Sequence, residues 1–592
     1  MYAYKLSPQL QLALKYENLF SVSVKTQFIV NQAENIWEVI IQYVDNISDI
    51  VSRLNMEIFY LNASFAIAQI KKQNIDELAQ NPSITYISFT TLMSYINVSL
   101  DQICATNISN PAGRYNLTGK GTLIGIIDTG IDYAHPDFIN QDLSSRIRFL
   151  WDQTIKGTPP EGFETGTEYT REEITRALEQ PTKQAQLEMV PSTDVIGHGT
   201  AMAGIAAGNG GASNGQYSGV APQCELIIVK IGREGEGASL PTDKDIMLGI
   251  KYVLNKAIEQ NKPITILLGV GTNMGQHNGG AILEQYIEQM SLIWKCNFVV
   301  GTGNQGNKGS HVSGKLSNNE TQVVQFFMDR GQNVYECSMW KPFIDKIEIV
   351  VESPKGELTE SLSILTPNRA FIFGNTVVMV NFSLPTIDSV RQQIFISLQG
   401  AADAGINEGI WSILIKATEI LDGSYHIWGS IIDDAVSRTK FLEEDPLTTL
   451  TIPSTTKRVT SAAAFNAVSL QLAAFSGRGY TSDGTIKPDI TAPGVNVMTA
   501  SIKQGIPYEP VSGTSAAAAF VAGAYAILLE YSIARLGEQY LYGESLKFYM
   551  LRNAKRPQSQ APYPNMQWGY GILCIEQTLN EMRETLVSIS QG

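Results

Sequence analysis

The sequence predicts an α/β fold: a parallel sheet flanked by helices, with an α+β module at the N-terminal end and an all-β domain inserted part-way along. Three observations predict it. Apolar runs at Leu123–Asp128, Glu225–Lys230, 265–271 and from Phe298 onward have the unbroken hydrophobicity of strands buried on both faces. Two small-residue stretches, one following His198 and one following Ser515, read as buried helices. Residues 312–453 change character to short alternating strands bounded by turn residues.

The N-terminal module, residues 1–97, comes first. Ile36–Tyr43 reads as a strand, and residues 47–54 have helical spacing. Residues 58–70 hold two strands around a turn at Asn62. Residues 74–80 read as a helix capped at Asn74, and Ile84–Phe89 as a last strand. The order β-α-β-β-α-β is a split βαβ unit.

In the α/β region, Asp128 stands at the C-terminal end of its apolar strand, where open α/β sheets place their chemistry. Residues 245–260 form an amphipathic helix with Ile246, Ile250, Val253, Leu254 and Ile258 on one face. The insert follows, with strands at 322–328, 346–351, 370–373, Thr376–Phe382, 393–398, 411–416 and 425–428. Such spacing suggests a sandwich or jelly roll.

Three segments carry chemistry. Gly513-Thr514-Ser515 precedes the run Ala516 to Gly523, which puts a serine at a helix N-terminus. Free N–H groups and the helix dipole there favour the oxyanion that serine attack creates. Asp194-Val-Ile-Gly-His198-Gly supplies an imidazole, the usual base for such a serine. Asp128-Thr129-Gly130 supplies a carboxylate able to hold an imidazole in one tautomer. Taken singly, each segment also reads as ordinary structure: a capped buried helix, a hydrogen-bonded core histidine, a turn-capping aspartate. Asp132 competes with Asp128 for the carboxylate role.

Together, in the order Asp, His, Ser, the three segments resemble the signature blocks of the subtilisin-like serine proteases. The resemblance implies Ser515 as nucleophile, His198 as general base and acid, and Asp128 as the orienting carboxylate. Within Gly301-Thr-Gly-Asn304-Gln-Gly306, Asn304 matches the family's side-chain donor to the oxyanion. Gly269, Val270 and Gly271 stand where the family has a serine-leucine-glycine edge that pairs with peptide substrate. The serine block departs too: Ala516, Ala519 and Phe520 replace the family's methionine and proline-histidine, none of which supplies chemistry.

By the same resemblance the N-terminal module is a pro-domain, an intramolecular chaperone and inhibitor whose tail stays in the cleft. Self-cleavage is then expected near Asn97; a permanent accessory domain is the alternative. The catalytic region would occupy 98–311 and 454–592, interrupted by a jelly roll over 312–453. The insert, and the segment Trp151-Asp-Gln-Thr with Gly162-Phe-Glu-Thr-Gly that follows it, resemble the Csp group of clostridial subtilisin-like proteases. That resemblance implies a part in spore germination, a cortex-lytic hydrolase precursor as protein substrate, and a spore-associated place. The competing class is a catalytically silent scaffold with the pro-domain plugging the cleft.

Composition sets limits. The chain has 592 residues and a net charge of −14, against a nucleic-acid partner. Its five cysteines show no disulfide framework and no metal spacing, so no disulfide, metal or cofactor is expected, and synthesis in a reducing compartment is. The N-terminus lacks the pattern of a signal peptide. The most apolar stretch, 516–529, falls short of the roughly 20 residues a bilayer needs.

Overall fold

The computed structural model describes residues 5–6, 10, 14, 29–31, 35–60, 65–89, 103–105, 115–232, 241–366, 368–384, 389–400, 405–432 and 437–590. The chain divides into two compact units, Met1–Ser94 and Tyr95–Gly592.

In the first unit, Trp37, Val39 and Ile41 are fully buried on one face of Ile36–Tyr43, the period-two pattern of a half-covered strand. This strand pairs antiparallel with Phe65–Lys71 on one side and Ile84–Phe89 on the other; Glu57–Tyr60 pairs beyond Phe65–Lys71. Helices Ser48–Leu54 and Ile75–Gln80 contribute Ile50, Leu54, Ile75 and Leu78 to the same core. The order is the expected β-α-β-β-α-β, with one more strand, Ile29–Asn31, paired to Ile36–Tyr43. Asn74 does not cap the second helix. It ends a 3₁₀ turn, and its amide donates to the Leu54 carbonyl at 3.3 Å.

The second unit is built on β1 (Leu123–Asp128), whose six residues are all buried. Parallel to it lie β2 (Glu225–Lys230) on one side and β3 (Ile264–Leu268) on the other. Beyond β3 come β4 (Cys296–Gly301), β5 (Thr460–Asn466) and β6 (Ile490–Pro493), again parallel. Antiparallel strands finish the sheet: Thr167–Thr170 beside Ile147–Asp152 at one edge and Gln471–Leu472 at the other.

Alternate residues of β1 face opposite layers. Ile124 and Ile126 pack with α1 (His198–Ala207) and α3 (Thr514–Leu529); Leu123 and Ile127 pack with α2 (Asp243–Glu259). Ile258, expected on the buried face of α2, is 40% exposed, whereas its neighbour Ala257 is fully buried. Small residues let α1 and α3 approach closely: a Cβ on Gly523 would lie 2.7 Å from the Ala206 carbonyl oxygen. With its π-helical continuation, α3 forms a 22-residue apolar helix to Arg535, long enough by composition to cross a bilayer, yet its most apolar 18-residue stretch is buried in the protein. It is the core helix behind Ser515, and as evidence for a membrane span it is weak.

The insert forms two antiparallel sheets around a separate core. One runs in the order His311–Lys315, Ser424–Gly429, Val334–Pro342, Arg391–Gly400, Thr376–Phe382, Asn368–Phe373. The other runs Lys346–Glu352, Gly409–Glu419, Thr321–Met328, Lys440–Phe441. Phe326, Met339, Ile396, Trp411 and Ile427 fill the space between them. The strands His311–Lys315 and Val334–Pro342 go beyond those read from sequence.

Cysteine pairing is corrected by the structure. Cys104 and Cys574 form a disulfide across 470 residues of sequence. No local spacing signals such a pair, because the fold alone brings its two ends together. Cys224, Cys296 and Cys337 remain buried thiols.

Candidate active site

Because β1, β3 and β4 are parallel neighbours in register, Ile127, Leu268 and Val300 end level with one another. The following residues, Asp128, Gly269 and Gly301, therefore line up on one edge of the sheet, outside the carboxyl ends of the strands.

Asp128 is 1% exposed. One of its oxygens accepts from the Thr129 backbone N–H at 2.7 Å, and both lie on His198 Nδ1, at 2.8 and 2.9 Å. With two carboxylate oxygens as partners, Nδ1 must carry its proton, which leaves the Nε2 lone pair free to act as a base. Burial opposes a charge on His198, but the Asp128 charge and hydrogen bond outweigh it and hold the imidazole pKa above its ordinary value.

His198 opens α1. The helix follows Gly197, which has φ +85°, a left-handed conformation suited to glycine. Asp194 organises this turn. Its Oδ1 accepts from Thr129 Oγ1 at 2.9 Å and the Gly197 N–H at 2.8 Å; its Oδ2 accepts from the Thr200 N–H and hydroxyl at 2.9 and 2.7 Å. Thr129 Oγ1 in turn accepts from the Gly199 N–H at 2.9 Å. A Cβ on Gly199 would sit 2.2 Å from the Gly130 carbonyl oxygen, so only glycine lets the loop after β1 reach the start of α1. Asp132 lies outside the site: its carboxylate is 3.6 Å from Lys183 Nζ, and its N–H donates to Thr200 Oγ1.

Ser515 is the second residue of α3 and the only one in that helix not buried. In the first turn its N–H has no intrahelical acceptor. Thr514 ties the helix start to Asn304. The Thr514 N–H and hydroxyl both donate to Asn304 Oδ1, at 3.0 and 3.2 Å, and Thr514 Oγ1 accepts from the Gly303 N–H at 3.0 Å. With Oδ1 occupied, the Asn304 amide is fixed in orientation and its Nδ2 keeps its protons for another acceptor. A Cβ on Gly513 would lie 3.5 Å from that nitrogen, placing it beside the approach to Ser515. Two donors, Ser515 N–H and Asn304 Nδ2, thus stand at the serine.

The Asp–His half and the Ser–Asn half meet across Gly269 and Gly301. A Cβ on Gly269 would lie 3.2 Å from His198 Cε1, and one on Gly301 2.7 Å from Thr514. Packing of α1 on α3 closes the arrangement. No hydrogen bond joins Ser515 Oγ to His198 here; such bonds are often loose before substrate binds and tighten in the reacting complex.

Gly269 makes the last sheet bond, N–H to the Ile127 carbonyl at 3.2 Å, and Thr272 next pairs with Ile452 at 2.9 Å. Between them the main chain of Val270 and Gly271 has no partner among the described residues, as an edge open to an added strand requires. Asn97 lies outside the described residues. Asp194 and Thr514 were not singled out from sequence. An aspartate four residues before a histidine at a helix start is a capping signal that points to the former.

Residues 119–368 and 436–571 match the subtilase family, and residues 4–89 match the Csp protease B prodomain. Among solved structures, the Clostridium perfringens CspB protease is 33% identical with a TM-score of 0.74, over 81% of this chain and 96% of that one. Serine protease AprX of Bacillus subtilis (strain 168) is 28% identical over 242 residues, 37% of this chain and 45% of AprX. Minor extracellular protease Vpr of the same strain is 24% identical over 489 residues, 76% of this chain and 52% of Vpr. The chain thus spans about half the length of these two relatives. It belongs to the subtilase family and carries a prodomain of the Csp protease B type.

Proposed function

We propose that this subtilase is a serine endopeptidase that processes its own pro-domain and activates a spore cortex-lytic hydrolase precursor by cleaving its propeptide. The observation that carries the catalytic part is the Asp128 carboxylate on His198 Nδ1, with Thr514, next to Ser515, bonded to Asn304 beyond the end of β4. In this reading His198 Nε2 takes the Ser515 proton as Oγ attacks a peptide carbonyl. The Ser515 N–H and Asn304 Nδ2 receive the oxyanion, His198 protonates the leaving amine, and water hydrolyses the acyl-enzyme.

Support for the germination role is coarser. It rests on the match of residues 4–89 to the Csp protease B prodomain and on likeness to the CspB protease. The two facing sheets of the insert are read as the jelly roll of that group. The pro-domain is read as remaining in the cleft after cleavage near Asn97, and the protein as spore-associated.

A fluorophosphonate probe tests the catalytic part: labelling of the full chain that vanishes in Ser515→Ala supports it. N-terminal sequencing tests self-processing. A single full-length species for both wild type and Ser515→Ala rejects it. The second reading, a silent scaffold, is favoured by the unjoined Ser515 and His198; absence of labelling at every pH tried selects it.

A further inference from the structure

Asp194 is 5% exposed and accepts five hydrogen bonds. Three come from backbone N–H groups, of Ile196, Gly197 and Thr200, and two from the hydroxyls of Thr129 and Thr200. All five partners donate, and a carboxylate is the side-chain group that accepts at both oxygens.

The two hydroxyls make a crossed latch around it. Thr129, in the loop after β1, donates to Asp194 Oδ1 and accepts from the Gly199 N–H of α1, each at 2.9 Å. Thr200, in α1, donates to Asp194 Oδ2 at 2.7 Å and accepts from the Asp132 N–H of that loop at 2.9 Å. A hydroxyl has one proton; giving it to Asp194 turns its lone pairs toward the opposite segment. One bond thus runs from helix to loop and the other from loop to helix, with a single buried carboxylate orienting both.

Part of this is helix capping. Gly197 stands at the N-cap of α1 without a side chain, and Asp194 receives the Thr200 N–H in its place. The latch reaches further, because its residues adjoin the Asp128–His198 pair. The Thr129 N–H donates to Asp128 Oδ1 at 2.7 Å, so a shift of Thr129 moves that carboxylate. Gly199 follows His198 directly, so a shift there moves the ring. Misplacing a catalytic group by about an ångström can cost on the order of 10²-fold in rate.

On the peptidase reading, on which this inference rests, we propose that Asp194 is a positioning residue: through Thr129 and Thr200 it keeps Asp128 at bonding distance from His198, and it acts on the reaction only through that pair.

The test uses the full chain and the rate of fluorophosphonate labelling, in which Ser515 Oγ bonds to phosphorus, fluoride leaves and His198 takes the serine proton. Asp194→Asn keeps the shape but turns one acceptor oxygen into a donor, leaving at least two of the five donors unmet. It should lower the maximal labelling rate, kinact, about 10²-fold with KI unchanged. Thr129→Val and Thr200→Val, each breaking one arm of the latch, should give smaller falls of the same kind. In an Asp128→Asn background the pair is already disabled, so adding Asp194→Asn should cost less than about threefold. Circular dichroism and melting curves establish that each variant is folded; should Asp194→Asn not fold, Thr129→Val takes its place in both backgrounds. An unchanged kinact in the folded variant overturns the proposal, and so does an equal fall with and without Asp128, which is the behaviour of a helix cap. Wild type that labels at no pH overturns the peptidase reading itself, and this role with it.

Discussion

Asp128 sets both carboxylate oxygens on His198 Nδ1, at 2.8 and 2.9 Å, from a position where it is 1% exposed. A buried carboxylate on that nitrogen fixes the tautomer and raises the basicity of the other.

The pH profile should show it. His198 has its pKa raised above 6.5, and the base must be neutral to act. Activity should therefore rise with pH through a value above 6.5. Asp128→Asn removes the charge while burial still opposes protonation, so the acid limb of the residual activity should move to lower pH. The same change should cost about 10⁴-fold in kcat, through the wrong tautomer. Initial rates from pH 5 to 9 measure both effects, and an unmoved acid limb would contradict the assignment of the titrating group.

Gly269→Ala should disable the site without unfolding it. A Cβ there falls 1.6 Å from Asp128 Oδ2, so the carboxylate must leave His198. We expect kcat to fall roughly 10²-fold, within the span expected when a catalytic group is misplaced by about an ångström. Gly271→Ala meets Thr451 Oγ1 at 2.7 Å instead and leaves the Asp128–His198 pair untouched, so turnover should fall less than in Gly269→Ala. Kinetics of the two variants beside their melting curves separate these outcomes.

Acid should loosen the junction between the insert and the catalytic sheet. His277, from the loop after β3, stacks on Trp428 of the insert with ring centres 4.1 Å apart, and His311 and His426 stack on the same indole. His311 Nε2 and His426 Nδ1 share a hydrogen bond at 3.0 Å. Burial pushes the His277 pKa down to about 4, against weaker upward pulls from the Asn273 and Leu450 carbonyls. Burial lowers His311 as well, with the neighbouring His426 adding to it and Asp445 opposing; burial then Arg391 lower His426. Groups that are less basic folded than unfolded contribute fully above pH 6.5, and that contribution is lost as pH falls toward 4. For His277 alone the loss is roughly 3 kcal/mol. Denaturant midpoints at pH 7.5 and 4.5 should differ, and His277→Gln should flatten the difference.

Reduction of Cys104–Cys574 should lower stability by roughly 2–5 kcal/mol. The bond ties the segment around buried Ile103 to the start of the helix Ile575–Ser590, far from Ser515 in the chain, so fluorophosphonate labelling at 25 °C should persist. Thiol titration checks the pairing. The native protein should react at none of its buried thiols, and the denatured unreduced protein should show three free thiols, Cys224, Cys296 and Cys337.

Much of the fold was legible because its signals are local. Unbroken burial of β1 shows in Leu123-Ile-Gly-Ile-Ile, and the strand Thr376–Phe382 shows in its β-branched run Thr376-Val-Val-Met-Val, although its alternate burial appears only in the structure. The seven insert strands read from sequence all exist: Thr376–Phe382 keeps its bounds, and the other six are extended by one to three residues at one or both ends where pairing with a neighbour carries the ladder further. The strand His311–Lys315 was missed. It contains a serine and a glycine and pairs only with Ser424–Gly429, so its identity lies in that partner.

The sequence by itself determined the chemistry on offer: a serine at a helix start, a histidine between glycines, and an aspartate ending an apolar strand, each fixed by residues within a few positions of it. Tertiary structure decided which of these groups touch. It chose Asp128 over Asp132, enlisted Asp194 and Thr514 as supports, joined Cys104 to Cys574, and packed Thr451 against both Gly271 and Gly303. The physical reason is range. Helix and strand periodicity, caps and turns act over a few residues, whereas a 2.8 Å hydrogen bond between residues 70 apart exists only after parallel strands have aligned their ends.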